Sequence, residues 1–167
     1  MQGILNISEA ASLAMHAMVL LADEPGKIIS TKEAAEKFQA SENHLSKVLQ
    51  RLTRAGLVKS IRGPKGGYIL GKQPEKVTLL EVYEAIEGKF ISNNCLFEKE
   101  ICDGRTCITG GLINSINSMV KRYFEGARLN DLTVAFSLCS NNGNSIDSIS
   151  FKPKEPDQDA ATVEQDD

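Results

Sequence analysis

Apolar residues along this chain recur mostly at helical spacing, with one interruption of strand-like character. Leu45, Val48, Leu49 and Leu52 fall at i, i+3, i+4 and i+7, which predicts a helix with one buried stripe. Ser41 stands where an N-cap belongs, and Gly56 follows the last turn, where a left-handed residue is wanted. Upstream, residues 7–23 predict a helix capped by Ser8 and ended by Pro25 and Gly26. Its Leu13, Met15, Ala17, Met18, Leu20 and Leu21 cover more than one face. That pattern implies burial on two sides, by its own domain and by something else. Ser30 with Glu33 forms a capping box for a helix over 31–38, and Gln39 with Ala40 makes the turn into the 41–55 helix. Residues 58–62 and 68–70 read as strands around a Gly-Pro-Lys-Gly-Gly tip at 63–67.

Downstream, Thr78 and Glu81 form a second capping box, opening a helix over 79–87 that Gly88 stops. Residues 109–125 predict the longest amphipathic helix, lined by Leu112, Ile116, Met119, Val120 and Tyr123. A partner helix in a symmetric dimer is the economical cover for that face. A short helix over 128–139, capped by Asn130, precedes an Asn-, Ser-, Asp- and Pro-rich stretch that reads as disordered. The expected fold is mainly α: a winged helix-turn-helix with a two-stranded β wing and a long dimerisation helix. Three segments follow: residues 1–77 for DNA binding, 78–140 for a cysteine loop and dimer helices, and 141–167 as an acidic tail.

Charge sharpens this picture. The net charge of −3 argues against a nucleic-acid partner until its distribution is read. Residues 27–76 hold eleven Lys and Arg against four Asp and Glu, whereas 152–167 hold six acids against two lysines. The basic segment is the one carrying the 41–55 helix and the wing, as phosphate neutralisation requires. A recognition helix must bury one side and offer donors on the other, near its N-terminus, to major-groove base edges. Asn43 suits an adenine edge or a phosphate, and His44 and Lys47 reach bases or backbone. Arg62, among Gly63, Gly66 and Gly67, supplies a cation on a tip slim enough for a minor groove. The candidate DNA-contacting set is Ser41, Asn43, His44, Lys47, Arg51, Arg62, Gly63, Pro64 and Lys65.

Neither a membrane-spanning stretch nor a secretory leader is expected, which points to the cytoplasm and to reduced thiols. An enzyme is not expected: there is no phosphate loop, no nucleophile–base pair, and only two histidines. No small-molecule substrate is expected either. His16 reads as a satisfied core or boundary residue of the first helix. The remaining chemistry lies in Cys95, Cys102 and Cys107, separated by six and then four residues in a stretch without periodicity. Three thiols there suit a soft metal or an iron–sulfur cluster, although a thiol switch or buried cysteines use the same residues. The spacing is not that of a zinc ribbon. Cys139 reads as buried rather than ligating.

The run GLVKSIRGPKGGYILGK at 56–72, followed after one helix by three cysteines, strongly resembles the bacterial Rrf-type winged-helix regulators. The resemblance covers residues 7–139. It implies a homodimer that binds a pseudo-palindromic operator in double-stranded DNA. It also implies an iron–sulfur cluster, 2Fe–2S in preference to 4Fe–4S, on Cys95, Cys102 and Cys107, with cluster state controlling DNA binding. In the branch that governs cluster biogenesis a histidine follows the third cysteine; Gly110 and Gly111 stand there instead. In the nitric-oxide-sensing branch an aspartate from the partner's first helix completes the site. Ser12 aligns with it, with Glu9 and His16 about one turn to either side, so the fourth ligand is open among these three. The branch that governs cysteine metabolism implies an alternative: a cluster-free regulator using a thiol switch or contact with a biosynthetic enzyme.

Overall fold

The computed structural model describes residues 7–92, 109 and 111–133. Cys95, Cys102, Cys107 and Cys139, and the segment 141–167, lie outside the described residues. The elements run α1 (Glu9–Asp23), α2 (Thr31–Phe38), α3 (Glu42–Arg54), β1 (Val58–Ile61), β2 (Gly67–Leu70), α4 (Leu79–Glu87) and α5 (Leu112–Gly126). A 3-10 turn, Pro74–Lys76, precedes α4, and residues 129–133 are again helical.

Local chemistry sets the helix starts. Ser8 Oγ accepts from the Ala11 N–H at 3.0 Å, and Ser30 Oγ from the Glu33 N–H at 3.1 Å. Thr78 and Glu81 complete a reciprocal box, with the Glu81 N–H on Thr78 Oγ1 at 3.2 Å and the Thr78 N–H on Glu81 Oε2 at 3.1 Å. Between α2 and α3, Gln39 adopts the left-handed conformation, φ 51°, and turns the chain within two residues. Gly56 does the same after α3, at φ 72°, so that the Leu57 N–H reaches back to the Leu52 carbonyl at 3.0 Å.

One core joins the helices. Leu45, Val48, Leu49 and Leu52 are buried, and α3 lies against α1, α2 and α4. In α1, nine residues are buried, among them Met18 at 0% exposure. The chain itself therefore covers α1, and the second partner expected from its pattern is not required for that burial.

The wing is a two-stranded antiparallel hairpin pairing Val58 with Leu70 and Ile61 with Gly67. It is hung on the α1–α2 connection by a further bridge. The Ile29 N–H donates to the Tyr68 carbonyl at 3.0 Å, and the Tyr68 N–H to the Ile29 carbonyl at 2.9 Å.

Two helix boundaries differ from expectation. α5 begins at Leu112, not 109, because Gly111 takes φ 80° just before it; at 15 residues it matches α1 in length. Asn130 is not a cap. Arg128 is bridged to Thr78, and the Leu129 N–H bonds the Val77 carbonyl at 3.1 Å, so the helical stretch starts at Leu129 with Asn130 in its first turn. Along α5 only Phe124 is buried, while Leu112 and Met119 are 56% and 70% exposed.

Candidate nucleic-acid interface

The apolar stripe of α3 decides which of its residues face outward. With Leu45, Val48, Leu49 and Leu52 turned to the core, Asn43, Lys47, Gln50 and Arg54 are all exposed. Ser41 sits at the N-cap in extended conformation and is exposed, but its hydroxyl caps no helix N–H. His44 is half-buried, with Nδ1 3.6 Å from Glu9 Oε1 on α1. Two residues expected in different roles, DNA contact and cluster ligand, thus meet at the start of α3.

At the wing, Arg62, Gly63, Pro64 and Lys65 are all exposed. Gly63 adopts φ 128°, and its carbonyl accepts the Gly66 N–H at 2.9 Å, closing the tip into a tight turn. Lys59 points outward from β1, an element buried only at Val58. It was absent from the expected set.

Several cations elsewhere are engaged by carboxylates, and although Lys76, Arg122 and Arg128 are not, the cations of α3 and the wing are gathered on one face. Lys27, Lys32, Lys72 and Lys121 each pair with a glutamate. Among the described residues, Lys47, Arg54, Lys59, Arg62 and Lys65 make no ion pair. Cations held near a surface without a carboxylate are available for phosphate.

Arg51, expected as a DNA contact, is exposed and also reaches a second helix. Its Nη2 donates to the Ile86 carbonyl in the last turn of α4. Arg51 itself is exposed, and this bond satisfies one of the carbonyls a helix end leaves without an intrahelical partner.

The fourth-ligand candidates all lie on α1. Glu9 and His16 are exposed and Ser12 is half-buried. His16 Nδ1 donates to the Ser12 carbonyl at 2.7 Å, and its ring meets Phe38 edge-on at 6.1 Å. His16 is thus a surface residue, not a core one. Tying Nδ1 to a carbonyl orients the ring and leaves Nε2 as the ligand-capable nitrogen, the arrangement used by metal-binding histidines. Among the described residues, no group of three or more His, Cys, Asp or Glu could hold a metal ion. None of their helices is long and apolar enough to cross a membrane.

A helix-turn-helix with an outward basic face, followed by a glycine-tipped basic hairpin, defines a winged-helix DNA-binding protein. The chain belongs to the Rrf2 family, whose model, described as an iron-dependent transcriptional regulator, matches residues 7–135. It is similar to the HTH-type transcriptional regulator IscR of Aliivibrio salmonicida, at 33% identity over 61% of each chain. It is also similar to CymR of Bacillus subtilis, at 31% identity over 77% of this chain and 89% of that protein. The solved structure of B. subtilis CymR, the global cysteine regulator of that organism, superposes with a TM-score of 0.67. That alignment is 32% identical and covers 79% of this chain and 98% of the other. The protein is a transcriptional regulator and not an enzyme.

Proposed function

We propose that this regulator binds double-stranded DNA as a homodimer, at a pseudo-palindromic operator, under control of an iron–sulfur cluster. The carrying observation is the gathering of exposed cations on the helix-turn-helix and its wing, Lys47 and Arg54 on α3 with Lys59, Arg62 and Lys65 on the hairpin. In this reading Asn43, His44 and Lys47 address the major groove, and Arg62, Gly63 and Pro64 track the minor groove. Ser41 and Lys65 contact the backbone. The exposed Leu112 and Met119 of α5, with the half-buried Ile116 between them, supply the apolar face for a second copy.

Cys95, Cys102 and Cys107 would hold the cluster, three soft donors being the right chemistry for iron and sulfide. The fourth ligand would come from α1 of the partner; His16 is favoured over Glu9 and Ser12 because its ring is already oriented by the Ser12 carbonyl. Bound there, the cluster supplies a redox- and nitric-oxide-sensitive link between elements. The 2Fe–2S form is the first choice.

A second reading has its own support, in the likeness to CymR over most of its length. Here the same cysteines act as a thiol switch, or the regulator answers to a partner enzyme, without iron. Anaerobic visible spectra with iron and sulfide counts decide between the two. Charge-transfer bands that disappear in Cys102→Ala support the cluster. A colourless protein without iron after reconstitution refutes it and leaves the thiol reading.

A further inference from the structure

Two helices bond the turn that ends α4, and a third meets the turn before it. From α3, Arg51 Nη2 donates to the Ile86 carbonyl. At the start of α1, Ser8 Oγ donates to Glu87 Oε1 at 2.5 Å. Just past α4, the Phe90 N–H donates to Glu84 Oε1 at 3.0 Å. The Phe90 ring lies 5.8 Å from that of Tyr83, which lies 5.7 Å from that of Phe124 on α5. Ile86 itself is 2% exposed, within the core shared with α1 and α3. Cys95 follows Phe90 by five residues. The exit of α4 toward the cysteines is therefore tied at once to the DNA-reading helix, the first helix and the long helix.

The chemistry of these ties is unequal. Ser8 to Glu87 is an exposed side-chain pair, of the kind that water readily replaces. The Arg51 bond is different. It joins a cation to a carbonyl at the negative end of a helix, where dipole and charge reinforce each other. It also joins two helices directly, and α3 is a rod on which Arg51, Lys47 and His44 stand at i, i−4 and i−7, on one side. A displacement received at Arg51 is therefore carried to the residues that address the groove. A base-edge hydrogen bond survives only within a few tenths of an ångström of its optimum, so a small displacement is enough.

We propose that Arg51 is a positioning residue that couples the cysteine segment to the DNA-reading face by holding the last turn of α4. The proposal rests on the reading of Cys95, Cys102 and Cys107 as the sensor. It gives Arg51 a task distinct from phosphate contact.

The test is a double-mutant cycle on the full-length protein, purified anaerobically, with a DNA duplex selected by the wild type from a random pool. Cys102→Ser is expected to change operator affinity by the order of tenfold, within the usual range of coupling between sites. In an Arg51→Met background the same change should shrink to about twofold or less, while the salt dependence of binding stays at its wild-type slope. Arg51→Lys, which retains a charge and a donor, should preserve most of the tenfold effect. Persistence of the full effect in Arg51→Met overturns the proposal. So does a salt slope lowered by about one in that variant, which marks a lost phosphate contact. An effect of Cys102→Ser that is absent even with Arg51 intact refutes the sensor reading itself. Where Arg51→Met does not fold, Arg51→Gln carries the same comparison.

Discussion

Replacing Gly67 by alanine would drive a methyl group into the backbone from which the wing hangs. A Cβ at this position lies 2.4 Å from the Ile29 carbonyl oxygen, 2.8 Å from its carbon and 2.9 Å from Ile28 Cγ2. Comfortable separations begin at about 3.5 Å, so β2 and the α1–α2 connection must part by roughly 1 Å. The two backbone bonds between Ile29 and Tyr68, at 3.0 and 2.9 Å, do not survive such a shift. Each contributes about 0.5–1.5 kcal/mol, which sets the expected loss at about 1–3 kcal/mol. On a domain of this size that lowers the melting temperature by roughly 5–15 °C. Urea unfolding followed by circular dichroism measures the loss, and fluorescence anisotropy on selected DNA measures the accompanying drop in affinity as the wing tip moves. Gly63→Ala is the control, since nothing lies within 4 Å of its Cβ and its cost arises from the positive φ alone. A Gly67→Ala protein within about 0.5 kcal/mol of the wild type would refute the claim that close approach to Ile29 holds the wing.

Three further outcomes are expected. Arg62→Ala should weaken operator binding by about 1–3 kcal/mol at matched salt, and unchanged affinity removes Arg62 from the interface. Met119→Glu places a charge on the exposed apolar face of α5 and should shift the protein from dimer to monomer in sedimentation; an unaltered dimer excludes that face as the contact. The Tyr83 phenol is held above its ordinary value by burial and by the Glu87 charge, and that of Tyr123 by burial. Both are neutral when folded while the unfolded chain ionises at about 10, so the native state binds more protons and stability falls as pH rises past that value. Tyr83→Phe should lessen the fall, as measured by urea unfolding on either side of that pH.

Much of the DNA-reading half was legible because its signals are local. The stripe from Leu45 to Leu52 sets the rotation of α3, and with it the outward placement of Asn43 and Lys47. Ser8, Ser30 and Thr78 announce their helices by side chains that satisfy the first N–H groups. The bond from Arg51 to α4 was not legible, for the opposite reason. Its partner is a main-chain carbonyl 35 residues away, and a carbonyl carries no mark in the sequence. The pattern of α1 announced two-sided burial but could not say that α3 and α4 supply it. The start of α5 was placed early because Gly111, which turns at φ 80° and offers no side-chain cap, leaves the periodicity of Leu112 and Ile116 without a visible beginning. Glu9 and His44 are 35 positions apart in the chain, and only the packing of α1 on α3 brings them to 3.6 Å.

The central claim is that the outward face of α3 and the wing read DNA as a symmetric pair. Selection of duplexes from a random pool by the full-length protein tests it most directly. The expected result is enrichment of an inverted repeat whose half-sites lie about one helical turn, 10–10.5 base pairs, or a multiple of it apart, with enrichment lost in Arg62→Ala. Recovery of no common sequence, or of one that Arg62→Ala and Lys47→Ala select equally well, would contradict it.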